Sequence, residues 1–197
     1  MTEICYAYNG DDPNCTASAT MKSCVDYPRN PKIAPPLPRR DFADGATWGH
    51  RLVQELRAGA SGWIYWNLLL DTAGGPFNLS PPHNDGPANY QHPVIITDAA
   101  SGTFYPTGLF YFLAHFSRFV RPGAVRLGTR DAALPATISA VAFAGDEQLA
   151  TRSKAAFVAQ LVNRAAAARR VALCSGGSVA YMTLPGRSIT TATWEEK

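Results

Sequence analysis

The sequence contains 197 residues, which is the length of one ordinary domain or of two small ones. Its composition, 46% hydrophobic and 17% charged, is that of a folded globular protein and excludes a disordered chain. The net charge is only +3 and no dense Lys/Arg cluster alternates with aromatic residues, so nucleic acid is not expected as a partner. No apolar run approaches the ~18 to 20 residues that a transmembrane helix needs, and no signal peptide precedes Thr2.

The N-terminal region is predicted to be mostly loop. Residues 9–44 are dense in turn signals and in prolines, which helix interiors and central strands exclude. Cys15 and Cys24 lie close enough in this loop to form a disulfide, and the triplets that begin at Asn14 and Asn78 fit the N-glycosylation pattern. Together these features favour a secreted or lysosomal protein. The alternative is two free cysteines in an unmodified loop.

The first helical periodicity runs from residue 48 to residue 58. Its polar residues face outward, and Thr47 and Gly59 are placed to cap its start and to end it. The apolar stripe consists of Trp48, Leu52, Val53 and Leu56.

Residues 62–71 form a continuous apolar and aromatic run, which the turn-forming Gly74-Gly75-Pro76 follows. Such a run predicts a strand buried on both faces, which is typical of a parallel sheet covered by helices. Trp66 and Asn67 place a flat apolar ring next to a hydrogen-bonding amide. That combination suits a sugar at the C-terminal end of a barrel strand. The alternative is that Trp63 and Trp66 both fill a core.

The rest of the chain combines a hairpin, a helix and several short strands. A hairpin is predicted at residues 93–105 around Ser101-Gly102, and a helix at residues 109–119 with Phe112, Leu113 and Phe116 facing inward. Five short apolar or alternating runs between residues 138 and 194 predict a small antiparallel sandwich. Residues 165–168 fit either a helical turn or a loop.

Several long blocks of this sequence, in the same order and spacing, resemble glycoside hydrolase family 30, the glucosylceramidase group. The blocks are residues 61–71 with Gly74-Gly75-Pro76, 92–96, 102–105, 110–120 with Pro122-Gly123, and Gly49-His50 in the helix. The resemblance implies an α/β plus all-β fold. Residues 1–123 would be the C-terminal remnant of a (β/α)8 TIM barrel, its last two strands and helices, with a β-hairpin excursion near 72–107. Residues 124–197 would form the antiparallel β-sandwich, which the block 184–194 resembles more weakly.

The resemblance also implies roles for individual residues. Thr2-Glu3-Ile4-Cys5 matches the family's Ser/Thr-Glu-x-Cys sequence at the end of the seventh barrel strand, so Glu3 would be the catalytic nucleophile. Cys5 would be a wall of the glucose pocket and Trp66 its aromatic floor. Asn67 would bind substrate, with His50 in a supporting position. Asn89 is the nearest match to an asparagine that touches substrate in the family.

Retaining glycoside hydrolysis needs two carboxyl groups about 5 to 5.5 Å apart, one as nucleophile and one as acid/base. The family's acid/base glutamate follows an asparagine on the fourth barrel strand, and nothing in this sequence matches that strand. The chain is therefore expected to be a fragment of a β-glycosidase that hydrolyses glucosylceramide, inactive alone.

A glycolipid or β-glucoside substrate and peripheral contact with membrane lipid are the expected partners. No cofactor is implied, and no metal, since the four histidines lack ligand spacing. The alternatives are a family 30 β-glucanase, acting on β-1,6-glucan for example, and a non-catalytic carbohydrate-binding remnant.

Overall fold

The structure, a computed structural model, describes residues 2–5, 42–72, 93–130, 134–145 and 157–195. Within these ranges the chain is mostly β-sheet with two helices. It divides into two compact units, each described here by itself. Of the described residues, the first unit contains 2–5, 63–72 and 93–110, and the second contains 42–62, 111–130, 134–145 and 157–195. The predicted division between residues 123 and 124 stays a prediction.

The first unit contains two small sheets with parallel pairing. Strand β1, Thr2–Cys5, pairs in parallel with β2, Trp63–Trp66. Strand β3, Leu69–Asp71, pairs in parallel with β4, Ile95–Asp98, and β4 pairs antiparallel with β5, Thr103–Pro106. This β4–β5 pair confirms the predicted hairpin.

The predicted continuous, fully buried strand over residues 62–71 is wrong. The segment forms two strands, β2 and β3, which pair with different partners and are interrupted at Asn67 and Leu68. The carbonyl oxygens of these two residues accept hydrogen bonds from the amides of Val94 and Ile95, at 3.1 and 2.9 Å. The chain therefore leaves one sheet and joins the other at this point. The peptide bond between Trp66 and Asn67 is cis.

Helix α1, Ala43–Arg57, begins five residues earlier than its apolar periodicity predicts. Phe42 occupies the N-cap position without a side-chain hydrogen bond, so Thr47 lies inside the helix and does not cap it. The inward stripe is confirmed at Trp48, Leu52 and Val53, which are buried, while Leu56 is half-buried. Gly59 follows the helix end with a φ of 102°, a conformation that glycine adopts without steric cost.

Helix α2, Gly108–Phe119, matches the predicted helix within one residue. Phe112 and Phe116 are buried as expected, while Leu113 is half-buried. Gly49 of α1 packs closely against α2, since a Cβ atom added to Gly49 would lie 2.5 Å from Cδ1 of Phe112 and 3.4 Å from Cγ2 of Val162.

We expect Gly49→Ala to lower the free energy of unfolding by about 1 to 2 kcal/mol. Overpacking of a buried site costs about 1 to 3 kcal/mol, and the better helix propensity of alanine offsets up to about 1 kcal/mol of it. Urea unfolding measures the change. The control is Gly62→Ala, because a Cβ at Gly62 meets nothing within 4 Å. Equal unfolding free energies for the two variants would contradict this close packing.

The second unit contains a four-stranded antiparallel sheet in the order β11-β8-β7-β6. Its strands are β6, Val125–Leu127; β7, Ile138–Ala144; β8, Phe157–Asn163; and β11, Ser188–Trp194. A separate antiparallel hairpin consists of β9, Arg169–Ser175, and β10, Ser178–Leu184. All five predicted strands of residues 138–194 are thus present, with ends shifted by two residues or fewer.

The hairpin and the sheet share one core. Val171 and Leu184 of the hairpin belong to the same buried cluster as Ile138 of β7 and Leu161 of β8. Helix α1 also contacts β7, β8 and β11 of the sheet. That the chain forms a complete two-sheet sandwich and the remnant of a barrel remains a prediction.

Asn163 connects three segments of this unit. Its side chain is fully buried, and Nδ2 donates to the carbonyl oxygens of Ala167, Leu184 and Pro185 at 3.0, 3.3 and 2.9 Å. Its Oδ1 accepts a hydrogen bond from the amide of Ala165 at 3.0 Å. Residues 165–168, for which the sequence left a helical turn or a loop open, form a loop that these bonds hold in place.

A second polar network links α2 to the sheet. The hydroxyl of Thr191 donates to Oε1 of the fully buried Gln160, and Nε2 of Gln160 donates to the backbone carbonyl of His115, at 2.7 and 3.0 Å. Nδ1 of His115 lies 2.7 Å from the Thr191 hydroxyl oxygen and closes the ring.

Candidate active site

The parallel register of β1 and β2 brings the proposed nucleophile and the proposed sugar platform onto neighbouring strands. Glu3 is the Cα partner of Ile64, and Cys5 is the Cα partner of Trp66. Residues two apart in a strand share one face, so positions 3 and 5 share a face of β1 and positions 64 and 66 share a face of β2. The backbone therefore places these four positions in two adjacent rows.

The β2 row is open to solvent. Ile64 is 46% exposed and Trp66 is 50% exposed, so the described part of this chain does not bury Trp66. Trp63 and Tyr65 alternate with them along the strand, and their rings stack with centroids 5.6 Å apart. A half-exposed indole at the end of β2, next to Asn67, can contact the apolar face of a sugar ring. Ile64, beside Glu3, received no role from the sequence, because an isoleucine in an apolar run indicates only a core position.

His50 belongs to the second unit, where α1 holds it half-buried. Its Nδ1 atom is buried and has no hydrogen-bond partner among the described residues. Burial, and then the positive charges of Arg164 and Arg51, lower the pKa of His50 to about 4. The imidazole is therefore neutral at pH 5 and above, which suits a supporting group and not a proton donor.

The free energy of unfolding should fall as the pH drops from 6.5 to about 4 because of His50. In this range the unfolded chain protonates His50 at its ordinary pKa, whereas the folded chain keeps the ring neutral. Since the ring is half-exposed, we expect a loss of only about 1 to 2 kcal/mol. Urea unfolding of the wild type and of His50→Gln, from pH 7.5 to 4, measures it. If the free energy of unfolding depended on pH in the same way in the two proteins, His50 would not be buried as a neutral ring.

The remaining predicted site features lie outside the described residues. These are the substrate contact of Asn89, the pairing of Cys15 with Cys24, and the two glycosylation triplets.

Cys174, on β9, is an exposed free cysteine. Among the described residues, no group of three or more His, Cys, Asp or Glu could hold a metal ion. None of the helices described is long and apolar enough to span a membrane.

Comparisons with known proteins point to one family. Residues 39–120 match the model of the glycosyl hydrolase family 30 TIM-barrel domain. Lysosomal acid glucosylceramidase of Mus musculus is 32% identical over 83 residues, which are 42% of this chain and 15% of that protein. Two Caenorhabditis elegans relatives match over 81 and 158 residues, or 14% and 27% of their lengths. The chain thus spans less than a third of the length of each of these relatives.

Solved structures show the same fold. SrfJ from Salmonella typhimurium superposes with a TM-score of 0.66 at 25% identity, over 83% of this chain and 33% of SrfJ. An endo-β1,6-glucanase superposes with a TM-score of 0.60 at 22% identity, over 80% of this chain and 31% of the glucanase. The resemblance of this chain to the family 30 glycoside hydrolases, and to the glucosylceramidases among them, is therefore confirmed.

Proposed function

We propose that the chain is the C-terminal portion of a retaining β-glycosidase that hydrolyses glucosylceramide to glucose and ceramide. The observation that supports this function best is the β1–β2 register, in which Cys5 pairs with the half-exposed Trp66 and Glu3 lies two positions earlier. In this proposal residues 1–123 complete a barrel whose other strands belong to the rest of the enzyme, and residues 124–197 form the sandwich.

Glu3 supplies the nucleophile in this mechanism. Its ionised carboxylate attacks the anomeric carbon and forms a glycosyl ester, while an acid on another barrel strand protonates the departing oxygen. The same acid, now a base, activates the water that hydrolyses the ester. The indole of Trp66 packs against the apolar face of the glucose ring. Cys5 forms a wall of the glucose pocket, and Asn67 binds the substrate. Asn89 contacts the substrate and His50 is a supporting group, as the family resemblance implies.

The name of the mouse relative, lysosomal acid glucosylceramidase, supports glucosylceramide as substrate and a lysosomal or secreted location. A ceramide leaving group remains in a lipid phase, so the enzyme would meet its substrate through peripheral contact with a membrane surface. A β-1,6-glucan or another β-glycan requires the same pair of carboxyl groups. A panel of glucosylceramide, gentiobiose and other β-glucosides distinguishes these substrates.

Residues 1–197 alone should not hydrolyse 4-methylumbelliferyl β-glucoside at a measurable rate. Without the acid the leaving group departs unassisted, and general acid/base catalysis typically contributes 10²–10⁴-fold. Two barrel strands also cannot close an eight-stranded barrel around the sugar. Fluorescence release from the purified chain measures this, with a complete family 30 enzyme as positive control. Robust turnover would show that the acid/base is present and that the chain is not a fragment.

A further inference from the structure

The β9–β10 hairpin has one buried face and one open face. Val171 and Leu184 point into the core of the second unit, where they are 7% and 0% exposed. Alternation along the two strands places Arg170 and Ala172 of β9 with Tyr181 of β10 on the opposite face. There, Tyr181 is 68% exposed, and no other described element covers it.

The tyrosine ring on this open face is held in position by a cation. The guanidinium carbon of Arg170 lies 5.1 Å from the centroid of the Tyr181 ring, within the range of a cation–π contact. The residue directly across from Tyr181 is Ala172, whose methyl group leaves space beside the ring. Arg170, Val171, Ala172 and Tyr181 line a shallow depression that is open to solvent.

These groups are complementary to a pyranose ring. A sugar presents a flat row of C–H groups, which stacks on an aromatic ring, and a rim of hydroxyl groups, which accept hydrogen bonds. The Tyr181 ring offers the flat apolar surface, and the guanidinium of Arg170 offers several N–H donors at its side.

We propose that the open face of the β9–β10 hairpin is a carbohydrate-binding site for one pyranose unit of a β-glucan chain. The sugar stacks on Tyr181, and Arg170 donates hydrogen bonds to its hydroxyl groups. The site lies wholly in the second unit and uses none of the residues of the proposed hydrolytic mechanism. It would bring a polymeric glycan to the protein whether or not the chain takes part in hydrolysis.

Isothermal titration of residues 1–197 with cellohexaose and laminarihexaose tests this site. We expect weak, saturable binding of at least one of the two by the wild type. Tyr181→Ala should weaken it about tenfold, the effect of losing about 1.4 kcal/mol of stacking, and Tyr181→Phe should change it less than about twofold. Arg170→Met should weaken it about three- to tenfold through lost donors.

The matched control is Tyr111→Ala, which removes a 46% exposed tyrosine from α2 in the same unit and should leave the affinity unchanged. Circular dichroism melting of each variant confirms that it is folded before titration. The proposal is overturned if the wild type binds neither hexasaccharide. It is also overturned if Tyr181→Ala binds as tightly as the wild type, since the sugar would then occupy another surface.

Discussion

Replacing Glu3 by glutamine should abolish β-glucoside hydrolysis by the full-length enzyme of which, in the proposed function, this chain is the C-terminal portion. We expect kcat to fall by about 10⁴-fold or more, because an amide cannot form the glycosyl ester and loss of a covalent nucleophile removes the main reaction path. The release of 4-nitrophenol from 4-nitrophenyl β-glucoside measures kcat. Azide should restore part of the activity to Glu3→Ala, which leaves room for the anion beside the anomeric carbon, and yield a glycosyl azide of inverted configuration.

The control for this substitution is Glu55→Gln on α1, a glutamate of the described chain with no role in the mechanism. It removes the same charge and should keep activity within about twofold. If Glu3→Gln retained more than a tenth of the wild-type kcat, position 3 would not be the nucleophile. If the wild-type full-length enzyme cleaved only β-glucans, the assignment of Glu3 as nucleophile would be unaffected, and the proposal of glucosylceramide as substrate would be wrong.

Replacing Asn163 by alanine should lower the free energy of unfolding by about 3 to 5 kcal/mol. The substitution removes four hydrogen bonds from a fully buried side chain and leaves the carbonyl oxygens of Leu184 and Pro185 without this donor. Each lost bond costs about 0.5 to 1.5 kcal/mol, and an unsatisfied buried group costs more. Because domains are stable by only about 5 to 15 kcal/mol, urea denaturation should reveal a large loss.

Ser188→Ala is the matched control for Asn163, because the exposed Ser188 hydroxyl donates to the same Pro185 carbonyl at 2.7 Å. Its loss should lower the free energy of unfolding by less than about 1 kcal/mol, since water replaces an exposed donor. Asn163→Asp should be at least as destabilising as alanine at pH 7, because a carboxylate would face three carbonyl oxygens. A change below 1 kcal/mol for Asn163→Ala would show that the loop does not depend on this side chain.

Five of the six strands described in the second unit were predictable from the sequence, because short apolar runs between turn residues define strands locally; β6 was not predicted. The core stripe of α1 was predictable for a similar reason, since helical periodicity marks Trp48, Leu52 and Val53. The start of α1 was not predictable from the sequence. Phe42, at the N-cap, is not a typical capping residue, whereas Thr47, which is one, lies inside the helix. Residues 62–71 carry no local sign of the change of strand partner at Asn67, which depends on tertiary pairing with residues about 30 positions later.

The candidate site was predictable only in part. The family resemblance assigned Glu3, Cys5 and Trp66, and the β1–β2 register is compatible with that assignment, although the roles of these residues stay predictions. Ile64 received no role, because its pairing with Glu3 follows from strand register and not from residue type. Arg170 and Tyr181 were missed for the same reason, since eleven positions of sequence separate two residues that contact only across a hairpin.

The closed ring around Gln160 determines the tautomer of His115. Since the Gln160 amide nitrogen donates to a carbonyl, its oxygen must accept the Thr191 proton, and the Thr191 oxygen is left to accept one from Nδ1. Neutral His115 therefore carries its hydrogen on Nδ1, and any proton gained in acid goes to Nε2. Burial lowers the pKa of His115, and a proton added at Nε2 would charge the imidazole without breaking a bond of the ring, so α2 would stay attached to the sheet.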